Sequence, residues 1–222
     1  MRLSRTDLLS LIFVVLSFAM VGLLYDRLPD PVPTHWNARG VADGFMSKPW
    51  GALIVPLAMT LTSAIFWIIP RVSPRGYGVD QSIRAYAIIQ ASALAFLLVV
   101  NALALMAAAG MAVSISRTVP VALGALFMVL GNFMAKFRKN FFVGIRTPWT
   151  LASDEVWLRT HRLGGRLFAA AGLLLVVAGL LGGVALLAVI PVLLVLTGVV
   201  PIVYSFVTYR RLESGGPSDP SR

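Results

Sequence analysis

Six long apolar runs decide what this chain can become. They fall near residues 8–25, 50–70, 85–109, 119–135, 165–184 and 187–207, and crossing a hydrocarbon core takes a helix of about 20 residues. In hydrocarbon the backbone N–H and C=O groups have no water to bond, so the runs are predicted as helices and no strand is expected at membrane depth. The last two runs are nearly continuous, broken at Gly182-Gly183 and at Pro191. Together they are too long for one span and predict a tight helical hairpin. Reading that hairpin differently gives five or seven spans. The expected fold class is an all-α integral membrane protein of about six transmembrane helices, with a small ordered extracytoplasmic loop between helices 1 and 2.

Composition agrees. Of 222 residues 58% are hydrophobic and 13% charged, against about 25% charged in soluble domains. The absence of cysteine excludes disulfides, Cys-ligated zinc and thiol nucleophiles. A net charge of +10 fits nucleic acid by number alone. No separate polar domain carries a basic stripe with interleaved aromatics, so no direct nucleic-acid binding is expected. Arg2 and Arg5 ahead of Leu8–Leu24 resemble the start of a signal peptide. That run ends in Tyr25-Asp26-Arg27 without a small-residue cleavage site, and it is read as a retained first helix.

Basic residues set the expected orientation. Arg2, Arg5, the three arginines of 71–84, the seven Lys and Arg of 136–166 and the three arginines of the tail alternate with Arg27, Arg39, Lys48 and Arg117 on the other side. Fifteen against four predicts that both termini and segment 136–166 are cytoplasmic. The expected organisation is a six-helix membrane domain over 1–207 and a disordered cytoplasmic tail over 208–222, rich in Gly, Pro and Ser. Small residues Ala107 to Gly110 suit close helix approach.

Two polar segments remain as candidates for function. In the extracytoplasmic segment 26–49, alternating Pro29, Pro31 and Pro33 favour an extended backbone. Asn37-Ala-Arg-Gly40 has turn chemistry, and Asp43-Gly44 offers a second turn. A small β-hairpin or folded cap on the membrane surface follows. Its candidate ligand-binding residues are Pro31, Pro33, His35, Trp36, Asn37, Gly40 and Asp43. Trp36 equally suits an interfacial anchor. A metal is not expected, because only Asp30 and Asp43 could join His35 and zinc takes three or four ligands.

The cytoplasmic segment 136–166 opens with Lys136, Arg138 and Lys139, which suit the anionic inner leaflet. Asn140 to Gly144 reads as a turn, and Pro148 pushes Thr147 out of the helical region. Ser153 is the expected N-cap of a helix with Asp154 and Glu155 in its first turn. That helix runs on into the fifth span. Trp157 and His161, and likewise Glu155 and Arg159, share a face at a spacing of four.

The motif Gly131-Asn-Phe…Asn140-Phe-Phe-Val-Gly-Ile-Arg-Thr-Pro-Trp-Thr-Leu151…Glu155-Val-Trp…Thr160-His-Arg-Leu-Gly-Gly165 resembles the signature of the SdpI immunity-protein family. The stretch Leu28-Pro-Asp-Pro-Val-Pro-Thr-His-Trp-Asn37 with the following Gly40 and Asp43-Gly44 is similar to the small uncharacterised module that precedes that signature in many members. Met134-Ala135 departs from a common proline, and Phe133 from a common tyrosine. The resemblance implies a six-helix protein of the bacterial cell membrane that protects a producing cell from a secreted toxic peptide. It also implies a cytoplasmic repressor as a partner beside the lipid bilayer. On that basis the cytoplasmic signature residues are Asn132, Asn140, Gly144, Arg146, Thr147, Pro148, Trp149, Thr150, Glu155, Trp157, His161 and Arg162.

Two other classes compete. A small transporter or lipid-handling protein would place polar residues in its spans, and Gln90, Asn101 and Asn132 are the candidates. An enzyme would draw on Asp154, Glu155 and His161, but no nucleophile elbow, metal motif or phosphate loop accompanies them. No catalytic residue, cofactor or metal is therefore expected.

Overall fold

The computed structural model describes residues 4–74, 78–182 and 184–214. Arg2, Arg75, Gly183, Arg222 and the rest of 215–222, which enter the expectations above, lie outside them. Six helical stretches are long and apolar enough to cross a membrane. Helix α1 (Arg5–Leu24) leads through a short turn at Tyr25–Arg27 into strands β1 (Val32–Trp36) and β2 (Ala42–Met46). Then follow α2 (Lys48–Val72), α3 (Ile83–Ala108), α4 (Ile115–Met134), the short α5 (Pro148–Ala152), α6 (Asp154–Leu181), α7 (Val184–Leu194) and α8 (Val200–Ser214).

The helices begin where side-chain chemistry allows. Ser4 and Asp7 form a reciprocal capping box at α1, which bonds amides that the first turn leaves without partners. The hairpin between the last two spans breaks after Leu181, where Gly182 takes φ +73°. Pro191, expected as a second break, instead lies inside α7. The irregularity comes later, as a π-helical stretch over Val195–Val199 in which the Val200 amide bonds the Val195 carbonyl. Pro201 follows; it has no N–H for the Thr197 carbonyl and its ring crowds that group. The sixth span thus joins α7 and α8. Helix continues to Ser214, so residues 208–214 are not the disordered tail expected of them.

Close packing is concentrated between α4 and α6. A Cβ on Gly131 would stand 2.5 Å from the Gly165 carbonyl oxygen, and one on Gly124 would stand 2.5 Å from that of Gly172. Only hydrogen fits there. Gly124 and Gly131 lie seven apart, as do Gly165, Gly172 and Gly179, and a heptad repeat keeps one face toward the neighbouring helix. Such contact matters in lipid, where apolar side chains gain little by leaving hydrocarbon and association rests on van der Waals fit.

Helices α1 and α3 pair through polar groups instead. The Gln90 amide donates to Ser10 Oγ at 2.9 Å, and Asn101 Nδ2 donates to the Ser17 carbonyl at 3.3 Å. Among the described residues the Ser17 hydroxyl is buried without a partner.

Candidate functional site

Two folded modules stand at opposite ends of the spans: the hairpin between α1 and α2, and a lobe between α4 and α6. The hairpin is antiparallel, with Val32 opposite Met46 and Trp36 opposite Ala42. Its turn is built by Asn37, whose Oδ1 accepts from the amides of Arg39 and Val41 at 2.9 and 3.2 Å. Gly40 completes it at φ +78°. Asp43-Gly44 is not a second turn. Both residues lie within β2, and Gly44 faces His35. Strand pairing there takes the backbone groups that a turn would have used.

The hairpin is held from below by apolar contacts. Leu28 and Val32 are buried with Val21 of α1, Ala52 of α2 and Leu105 of α3. Asp30 Oδ1 accepts the Lys48 amide at 3.1 Å, which fixes the start of α2. Its outer face keeps polar and apolar groups in solvent. His35 Nδ1 lies 2.5 Å from Asp43 Oδ1, with side chains 73% and 43% exposed. Phe45, Val41 and Trp50 are exposed nearby in sequence. Pro31 is exposed, while Pro33, Trp36, Asn37 and Gly40 are half-buried.

The lobe is organised differently. His161 is fully buried and stacks on Trp157 with ring centroids 3.9 Å apart. Its Nε2 accepts the Ile145 amide at 3.0 Å. That leaves the ring hydrogen on Nδ1, which donates to the Trp157 carbonyl at 2.8 Å. Trp157 Nε1 in turn donates to the Phe137 carbonyl at 2.7 Å. Gly144 sits against this pair at φ +118°, where a Cβ would meet His161 Nε2 at 2.3 Å. Both the backbone conformation and the space demand glycine.

Asn140 folds the turn before it. Its Oδ1 accepts from the amides of Phe142 and Val143, and its Nδ2 donates to the carbonyls of Arg138 and Val143. Thr147 and Thr150 form a reciprocal capping box at α5. Thr147 Oγ1 also lies 3.0 Å from Ser205 Oγ of α8, and Trp149 packs on Phe206 with ring centroids 5.0 Å apart. Ser153 caps α6 by accepting the Val156 amide. Ser82, just ahead of α3, accepts the Arg138 amide at 3.0 Å. The lobe therefore ties α3, α4, α6 and α8 together.

Of the signature residues, Asn140, Thr147, Thr150, Trp157 and His161 are buried. Arg146, Pro148, Glu155 and Arg162 are exposed. Arg146 donates across the turn to the Phe141 carbonyl, and Glu155 pairs with Arg159 at 2.6 Å. Asn132 stands apart, exposed on α4. Among the described residues no group of three His, Cys, Asp or Glu could hold a metal. Residues that sequence reasoning passed over are Ser82, Ser205 and the glycines Gly124, Gly172 and Gly179. The heptad spacing of those glycines was the available signal, whereas the two serines carry none, since only the fold brings them to the lobe.

A multi-pass membrane protein with an ordered module at each end is the class that this architecture defines. Residues 136–205 match the SdpI/YfhL protein family, and residues 12–60 match a domain of unknown function, DUF1648. Over 210 residues the chain is 26% identical to Immunity protein SdpI of Bacillus subtilis (strain 168), covering 94% of this chain and 98% of that protein. The lobe and the helices that follow it are thus similar to the SdpI/YfhL family, and the hairpin with its flanking helices to DUF1648. No solved structure matches it.

Proposed function

We propose that this chain is a membrane immunity protein, with the hairpin on the extracytoplasmic face meeting a secreted toxic peptide and the lobe facing the cytoplasm. The observation that carries this is the likeness to Immunity protein SdpI over nearly the whole of both chains, spanning both folded modules. The excess of Lys and Arg at the lobe end supports the orientation. Arg146, Glu155 and Arg162, each exposed, are then the residues open to a cytoplasmic regulator. A transporter is less well supported. Gln90 and Asn101 spend their amides on α1, which makes them helix-pairing groups rather than the lining of a pathway. An enzymatic role finds little support either, because the His161 ring is committed to two backbone groups.

The test is survival of a toxin-sensitive host expressing the chain, with membrane abundance followed by blot. Protection by the parent and its loss in Arg146→Ala at equal abundance is the expected result. A parent that protects against no peptide sinks the immunity reading. Orientation is tested separately in this cysteine-free chain, with Arg39→Cys expected to react with an impermeant maleimide in intact cells and Arg159→Cys expected not to.

A further inference from the structure

The lobe carries a groove that the immunity reading does not use. It has a volume of about 640 Å³ and is lined on one wall by Lys136, Phe137, Arg138 and Lys139, and on others by Gln81 and Trp157. Lys139 is paired with Asp154 at 2.7 Å, so the acid in the groove has its own cation. Lys136 and Arg138 are exposed, and among the described residues neither lies within ion-pair distance of a carboxylate. Lys136 Nζ rests over the Phe133 ring at 4.0 Å, and Arg138 reaches Gln81 only at 3.5 Å. The groove is thus a built pocket with two positive charges not matched by acids.

Depth says what could fill it. Helix α4 has 20 residues, or about 30 Å at 1.5 Å per residue, which is the thickness of the hydrocarbon core. It ends at Met134, so Lys136 and Arg138 follow at the level of lipid phosphates. We infer that this groove is a discrete binding site for the phosphate headgroup of an anionic phospholipid, held by Lys136 and Arg138 in front of Gln81. Diffuse attraction to a charged surface needs no pocket, whereas a discrete site holds one lipid through removal of the bulk bilayer. The proposed orientation enters only in naming the inner leaflet as the source.

The experiment is native mass spectrometry of the full chain in detergent, titrated with phosphatidylglycerol or phosphatidylcholine. The expected result is one retained phosphatidylglycerol per chain, weaker phosphatidylcholine binding, and a loss of about thirtyfold for Lys136→Gln with Arg138→Gln. Arg210→Gln with Arg211→Gln removes the same charge elsewhere and should bind as the parent does. Equal binding of both lipids, or equal loss in the two double variants, overturns the site. So does unchanged lipid binding with loss of a poly-glutamate peptide, which would assign the groove to an acidic protein. Effective competition by inorganic phosphate at lipid concentration would overturn it in favour of a free anion. A melting curve for each variant confirms the fold, with Arg138→Gln alone as the milder form. None of these outcomes depends on toxin survival or on which way the chain is inserted.

Discussion

The hairpin and the lobe are polar segments of similar length, yet they use their polar side chains in opposite ways. In the lobe, Asn140, Trp157 and His161 are buried and give their polar atoms to backbone groups. In the hairpin, His35 and Asp43 bond each other in solvent, while the strands are held by apolar Leu28 and Val32 beneath. A buried polar group needs a partner because its desolvation is otherwise uncompensated, so the lobe's side chains are fixed by architecture. The hairpin's exposed groups are under no such constraint. A distinctive motif is thus not by itself a contact surface. Under the proposed immunity reading, recognition would fall to what stays exposed: His35, Asp43 and Phe45 at one end, and Arg146, Glu155 and Arg162 at the other.

The comparison is broken most severely at the helix pair beneath the lobe. Gly131→Val places a side chain where 2.5 Å separates a Cβ from a backbone oxygen, so α4 and α6 must part. Loss of monodisperse protein on size exclusion in detergent is expected; normal yield would show that the lobe stands without this contact. Next comes Trp157→Ala, which removes the ring stacked on His161 and leaves the Phe137 carbonyl without its donor. A loss of about 3 kcal/mol is expected from a thermal melt. Trp157→Phe keeps a ring but not the N–H and should lose about 1 kcal/mol. Thr147→Ala removes a cap and the contact with Ser205. It should cost about 1 kcal/mol by the same melt, with most of it restored in Thr147→Ser.

These effects also mark what the sequence made legible. Six spans, a hairpin after α1, the Ser153 cap and the Trp157–His161 pair all follow from local rules: apolar length, proline and turn chemistry, and helical spacing. What escaped needed distant partners. Ser205 lies 58 residues from Thr147 and Ser82 lies 56 from Arg138, and nothing near either serine in the chain announces its contact. Asp43-Gly44 misled because its turn propensity is real but weaker than pairing with β1. The exposed residues at the two ends were named without the means to separate them from buried neighbours such as Thr150, since burial depends on how α5 settles against α6 and α8.

The smallest expected change in stability carries the sharpest test. His35→Ala and Asp43→Ala each remove one partner of an exposed pair, and such pairs contribute about 0–1 kcal/mol. The melt should therefore stay within about 0.5 kcal/mol of the parent, well inside the loss for Thr147→Ala. Survival against the cognate peptide should nevertheless fall, because the pair stands on the outer face where a ligand would touch. A melt that drops as far as Thr147→Ala would make the hairpin architectural like the lobe and end the contrast. An unchanged melt with unchanged survival would keep the contrast in folding but move recognition off this pair, toward the exposed apolar residues Val41, Phe45 and Trp50. Measuring both quantities on the same two variants separates a residue that holds the fold from one that the fold merely presents.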